Sequence, residues 1–317
     1  MAHEVETLFY NYGKTEEEHQ RLTPWHGLGT PVEEAPNSYE ALRIAGLNWK
    51  VESKPVFVND KEVPNYVANV RDSDNSVLGI VTNRYKIVQN EEAFSFTDAL
   101  ISGDVRYETT GSLKNGKRIW LLAKLPETKV IDDVVVPYVC FTNTHDGTGA
   151  VQAIMSPIRV VCNNTLNLAL TNAKRSWSMR HVGDINGKIE EAREVLGLAD
   201  KYMKELNVFA DKLANTSLPF EKAKEIVNEL FPIDKEDSDR EKRNMQKCRD
   251  DIMVCYFAPD ILKYQNTAYG LVNAVTDWAG HKTPLRNTKS YQENNFGRIL
   301  DGHPIVDAVV EKVSALV

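Results

Sequence analysis

The chain has 317 residues, of which 42% are apolar, 9% aromatic and 26% charged. That balance excludes collagen-like, low-complexity and wholly disordered chains, and it supplies a sizeable core for one large or two modest domains. The net charge is −7, from 38 Lys and Arg against 45 Asp and Glu, so the chain is not basic throughout.

No stretch reaches the ~18 uninterrupted apolar residues of a membrane helix. Met1-Ala2-His3-Glu4 lacks the basic start and apolar run of a secretory leader. The four cysteines, Cys140, Cys162, Cys248 and Cys255, form no C-x-x-C pair, so metal-ligand spacing is absent and buried thiols in a reducing compartment are expected. The expectation is a soluble cytoplasmic protein without a membrane partner.

The first thirty residues are polar and contain Pro24-Trp25-His26-Gly27-Leu28-Gly29, which reads as an irregular arm docking through Trp25. Ser38 is expected to cap a short helix bearing Tyr39, Leu42, Ile44 and Ala45, ended by Gly46. Three strand signals follow, at Trp49 to Val58, Asn65 to Arg71 and Val77 to Thr82. Asn59-Asp60 and Asp72-Ser73-Asp74-Asn75 separate them with turn chemistry. Asn90 is placed at the cap of a helix through Leu100.

Arg106 to Leu113 and Arg118 to Leu125 flank Lys114-Asn115-Gly116-Lys117, and Asn-Gly between alternating runs predicts a hairpin. Val134 to Thr142 and Ala150 to Met155 form a second pair, joined through His145-Asp146-Gly147-Thr148-Gly149. Val160 to Lys174 reads as a strand end passing into a helix.

Beyond Gly183 helical periodicity takes over, at Ile185 to Leu213, Pro219 to Leu230, Asp239 to Tyr256, Thr267 to Ala279 and Pro304 to Leu316. Asp234 to Asp239 marks an exposed acidic loop, and His281 to Arg298 a long basic one. The expected fold class is α+β, with an N-terminal antiparallel sheet built of β-β-β-α and hairpin units before a mostly helical C-terminal half. The expected division is an arm over 1–37, an α+β core over 38–183 and a helical domain over 184–317.

Catalytic motifs are missing. There is no G-x-x-x-x-G-K-[ST], G-x-G-x-x-G or G-x-S-x-G. His145-Asp146 sits where a turn is expected, and His181, His281 and His303 have no i,i+4 histidine partner. Carboxylate pairs such as Glu33-Glu34, Glu91-Glu92 and Asp132-Asp133 are adjacent, and adjacent side chains do not converge on a helix or strand. No enzyme, cofactor or metal is expected, an unfamiliar enzyme using His145, Asp146 and His181 being the least favoured reading.

Charge is spread unevenly. Residues 1–83 carry 7 Lys/Arg against 13 Asp/Glu, whereas 84–183 carry 12 against 9, and Gly147 to Gly183 has no acid at all. Within the second stretch, basic and aromatic residues interleave: Arg84, Tyr85 and Lys86; Lys114, Lys117, Arg118 and Trp120; Arg159; Lys174, Arg175, Trp177 and Arg180. Single-stranded nucleic acid needs that mixture, cations for phosphates and aromatic faces for bases. Asn163 and Asn164 offer amides and backbone donors at an expected helix start, or a plain cap.

Trp25-His26-Gly27-Leu28-Gly29, Leu78-Gly79-Ile80-Val81-Thr82 with Tyr85-Lys86-Ile87-Val88-Gln89-Asn90, and Arg159-Val160-Val161-Cys162-Asn163-Asn164-Thr165-Leu166 resemble the phage/plasmid-like protein family of domain of unknown function 932, from about residue 20 to 310. The resemblance implies a mobile-element origin in a bacterial host, with no settled activity. The order of elements over 38–125 is also similar to phage single-strand annealing proteins of the RecT, Redβ and Rad type, which form rings or filaments on single-stranded DNA without hydrolysing nucleotides. By that analogy the chain is expected to bind and anneal single-stranded DNA in recombination or replication, as a homo-oligomer. The alternative is a self-assembling or protein-interaction factor acting on a host or phage protein.

Overall fold

The computed structural model describes residues 23, 25–99, 105–159, 164–168, 170, 175–182, 195–281 and 288–317. Two antiparallel sheets form the N-terminal half, and helices the C-terminal half, giving an α+β fold. Among the described residues, no helix is long and apolar enough to cross a membrane.

The smaller sheet contains β2 (Val51–Val58), β3 (Lys61–Arg71) and β4 (Val77–Thr82), following β1 (Gly29–Pro31) and α1 (Ser38–Ile44). Asn59 and Asp60 turn β2 into β3 with φ of 48° and 59°, a left-handed pair that asparagine and aspartate tolerate better than other side chains. α2 (Asn90–Ser95) and a 3-10 turn (Phe96–Ala99) lead to the larger sheet.

That sheet comprises β5 (Arg106–Leu113), β6 (Arg118–Lys124), β7 (Thr128–Val130), β8 (Asp133–Thr144), β9 (Val151–Arg159), β10 (Asn164–Thr165) and β11 (Ser176–Met179), with β1 added beside β5. Its order is β1-β5-β6-β8-β9; β10 and β11 share the outer edge of β9, and β7 lies against the start of β8. Lys114, Asn115 and Gly116 make the β5–β6 turn with positive φ, as the Asn-Gly signal requires.

Side chains alternate across this sheet, and both faces are covered. One face carries Ile119, Leu121, Val139, Phe141, Ala153 and Met155 into the main core, which continues into the helices. The other carries Trp120, Leu122, Tyr138, Cys140 and Ile154 into a second core closed by Trp25 and Phe296. Trp120 packs against a cross-strand glycine pair: a Cβ on Gly29 or Gly111 would come within 2.6 or 2.7 Å of its ring. The arm docks through Trp25 as expected, its ring edge-on to Tyr138 at 4.8 Å.

The helices are α3 (Val195–Asn215), α4 (Phe220–Leu230), α5 (Asp239–Tyr256), α6 (Ala268–His281), α7 (Tyr291–Asp301) and α8 (Pro304–Ser314). α6 is buried almost all round and packs against α3, α5, α8 and β10. α5 opens with a full capping box between Ser238 and Glu241. A buried ionic cluster fastens the helical half to the sheet. Arg159 of β9, with no exposed surface, pairs with Asp133 of β8 at 2.8 Å and Asp260 at 3.2 Å, and donates to Asn273 of α6.

Several sequence expectations change. The basic stretch from His281 to Arg298 is not all loop, because Tyr291–Asp301 is helical and buries Phe296, Ile299 and Leu300 at helical spacing. Asn37, not Ser38, caps α1, while Ser38 is buried against the Asp98 carboxylate. The Asn90 side chain bonds to Leu47 and His145, and α2 gives way to a 3-10 turn after Ser95.

The arm is not wholly irregular, since β1 pairs with β5. β3 begins at Lys61, and β9 runs on to Arg159. Leu166 to Leu168 are not helical, and the rest of the helix expected up to Lys174 lies outside the described residues, apart from Leu170. The first ten residues of the helix expected from Ile185 also lie outside them.

Candidate functional site

His145 organises one end of the larger sheet. Its backbone N–H donates to Lys117 O at 2.8 Å, tying the end of β8 to the β5–β6 turn. Its carbonyl accepts from Asn69 of β3, also at 2.8 Å, tying both to the smaller sheet. The ring is fully buried, 2.8 Å from Asn90 Oδ1 and edge-on to Trp49. Asn90 spends its amide N–H on Leu47 O, so its oxygen accepts and His145 Nε2 carries the proton. Burial, then the neighbouring His181, pushes the His145 pKa down to about 3.

Gly79 of β4 makes this junction possible, because a Cβ there would lie 2.5 Å from Asp146 Cα. The next turn, Asp146 to Thr148, is closed by Asp146 Oδ1 accepting from the Thr148 N–H and hydroxyl. The hydroxyl of Tyr85 donates to Thr144 O at 2.6 Å, and its ring stacks on His181 at 4.6 Å. His181 in turn donates from Nδ1 to Lys86 O, while Lys86 N–H donates to His181 O.

Three segments that carry cations therefore meet the end of β8 around Thr144 to Asp146: the 84–86 loop, the 114–118 turn, and β11 with its flanks. Beside them, under the C-terminal end of α7, lies a polar cleft of about 330 Å3. Its floor is the Trp120-bearing face of the sheet, contributing Arg118, Thr144, Gln152 and Ile154, and Arg175, Leu300 and Asp301 close it.

Arg118 holds Asp301 through both Nη atoms, at 2.8 and 2.9 Å. Arg175 donates to Met155 O and Leu300 O, and burial lowers its pKa, although a guanidinium keeps its proton. Glu293 of α7 accepts from the Lys114 N–H, a further tie of α7 to the turn.

The residues expected from sequence are dispersed. Arg84, Lys86, Lys114 and Arg180 are exposed at this end, and Lys117, Arg118, Tyr85, Arg175 and Trp177 are half-buried. Lys114, Arg118 and Arg175 share the cleft. Trp120 and Arg159 are buried completely, one over Gly29 and Gly111, the other in its ionic cluster, so neither meets a ligand on this surface. Asn164 lies in β10 at the far end of β9, and Asn163 and Lys174 lie outside the described residues.

Sequence reasoning missed Asp301, Gln152 and Thr144. The spacing Phe296, Ile299, Leu300 was the available signal for the helix that brings Asp301 to the cleft. His145 and His181 are enclosed by packing and hydrogen bonds.

Over residues 77–299, from β4 to α7, the chain matches the family described as Domain of unknown function (DUF932). No curated protein and no solved structure matches it.

Proposed function

The chain belongs to the family of Domain of unknown function (DUF932), and because membership brings no activity with it, we propose from the site that the protein binds single-stranded DNA. On this reading it is a phage- or plasmid-encoded protein of the bacterial cytoplasm that holds or anneals strands in recombination or replication, without nucleotide hydrolysis. The carrying observation is the gathering of Arg84, Lys86, Lys114, Lys117 and Arg180 from separate segments at one end of the sheet, Lys114 also lining a polar cleft there. Spaced cations on several loops match a backbone of spaced phosphates better than they match one small anion. Tyr85, stacked on His181, and Trp177, packed against the main core, are the half-buried aromatic side chains at this end.

The test is a charge reversal at exposed positions. Lys86→Glu, Lys114→Glu and Arg180→Glu combined are expected to weaken binding of a fluorescent oligonucleotide roughly ten-fold or more at low salt. The melting temperature should stay unchanged. Unaltered affinity in the folded triple variant contradicts the site.

One observation favours a second reading, self-assembly or capture of a host protein. The outer face of the smaller sheet exposes Tyr66 (47%), Val77 (57%) and Ile80 (58%), beside Phe57 and Val58 at the β2–β3 tip. Several exposed apolar side chains on one sheet are the kind of surface that marks an interaction site. Under it, Ile80→Lys is expected to lower the mass measured by light scattering.

A further inference from the structure

The cleft's charges are not settled among themselves. Asp301 is the last residue of α7, where the helix carbonyls already present negative partial charge and a carboxylate is disfavoured by its own helix. It is 54% exposed and rests on Arg118, which is 12% exposed. With both Nη atoms on Asp301, and Nη2 also 3.4 Å from Gln152 Oε1, Arg118 leaves its buried Nε without an acceptor.

Thr144 Oγ1, buried in the same wall, also lacks a partner. Arg175 donates to two backbone carbonyls, and among the described residues no carboxylate accepts from it. Lys114, Arg118 and Arg175 line the cleft against Asp146 and Asp301, with Asp307 acting on Arg175 and Glu293 on Lys114 from outside it, and Asp146 Oδ1 is engaged by its own turn.

We infer that the cleft is a phosphomonoester site and that Asp301 is its removable counter-anion, occupying the Arg118 fork until a phosphate replaces it. A phosphomonoester carries nearly two charges and three acceptor oxygens, enough for the Arg118 fork and the neighbouring Lys114 together. The volume of about 330 Å3 falls at the small end of ligand pockets, and the polar walls beside Gln152, Thr148 and Ser176 suit a sugar's hydroxyls. A free mononucleotide and the phosphorylated end of a strand share this chemistry. The inference goes beyond strand binding, since it concerns a phosphate end inside the cleft and not a backbone laid over its rim.

Calorimetric titration of the full chain with deoxyadenosine 5′-monophosphate, deoxyadenosine and inorganic phosphate tests it. The nucleotide is expected to bind, inorganic phosphate to compete with it, and the nucleoside to give no heat. Asp301→Asn should bind the nucleotide roughly five-fold tighter, the order expected when a partly exposed ion pair no longer competes. Lys114→Glu should weaken it. A 5′-phosphorylated oligonucleotide that outbinds its 5′-hydroxyl twin assigns the site to strand ends, whereas equal binding of the two assigns it to free nucleotides.

Absence of nucleotide binding in both the native chain and Asp301→Asn overturns the inference. So does nucleoside binding as tight as the nucleotide's, or weaker nucleotide binding in a folded Asp301→Asn. Salt-sensitive strand binding without nucleotide binding would remove the cleft site and leave the strand reading standing. Nucleotide binding without strand binding would do the reverse.

Discussion

Arg159 shows what a buried charge does in this chain. Its guanidinium joins Asp133 and Asp260, and the second of these lies in the helical half. Removing it takes the guanidinium from two buried carboxylates, of which Asp133 keeps Lys263 at 3.2 Å. Arg159→Met is expected to lower unfolding stability by about 3–5 kcal/mol in urea titrations, whereas Lys114→Glu should change it little.

His145 carries a pH dependence of definite sign. Its folded pKa is about 3 against an ordinary value of 6.5, so above pH 6.5 the ring is neutral in both states and costs nothing. Below that pH the unfolded chain takes up a proton that the buried ring refuses, and stability falls until the pH nears 3. His181 is shifted the same way, again by burial first. The unfolding free energy from urea titrations is therefore expected to hold between pH 8 and 7 and to fall below pH 6.5, by up to about 1.4 kcal/mol per pH unit for each histidine. His145→Gln should flatten that slope, and an unchanged slope contradicts the assignment.

The exposed cations at this scale were legible, because Arg84, Lys86, Lys114 and Arg180 sit in turns or strand flanks where the pattern puts residues outside. Arg159 and Trp120 were not. A lone arginine in an acid-free stretch gives no sign that Asp133 and Asp260 fold onto it, and the space for Trp120 is made by glycines 91 and 9 residues away in sequence.

Among elements, α7 is the one on which the cleft depends. Phe296 anchors it, packing edge-on to Trp120 at 5.0 Å and beside Trp25 at 6.2 Å. Phe296→Ala should cost about 3–5 kcal/mol and loosen the cleft's roof, so loss of nucleotide binding is expected alongside a lower melting temperature. Ser238→Ala, which removes the α5 capping box far from the cleft, should cost about 1 kcal/mol and leave binding unchanged.

The hairpins were readable because Asn59-Asp60 and Asn115-Gly116 take the left-handed conformations that few other pairs accept. The helix at 291–301 was hidden by Asn294, Asn295 and Gly297, which read as turn chemistry although tertiary burial of Phe296, Ile299 and Leu300 overrides it. Short strands such as β1 and β11 carry too few residues for a period-2 signal, and their pairing partners lie 78–82 and 22–28 residues away along the chain.

At the scale of the molecule, one sheet is sealed on both faces, and its function is expected where its turns emerge. The helices cover the main core, and the arm with α7 covers the other. That leaves the end around Thr144 to Asp146, backed by the smaller sheet, as a surface on which distant segments present their charges together. The α+β class and the change to helices were legible from periodicity, but the meeting of the two sheets at His145 was not, since it depends on Asn69, Gly79 and Asn90 acting across the chain.

The strand-binding proposal is tested most directly by fluorescence-anisotropy titration of a single-stranded oligonucleotide across a salt series. Engagement of three to five phosphates by the exposed cations should give a log–log slope of roughly −2 to −3.5, at about −0.7 per phosphate. The slope should shrink in the Lys86→Glu, Lys114→Glu, Arg180→Glu variant. No binding at low salt, or binding indifferent to salt, would contradict it.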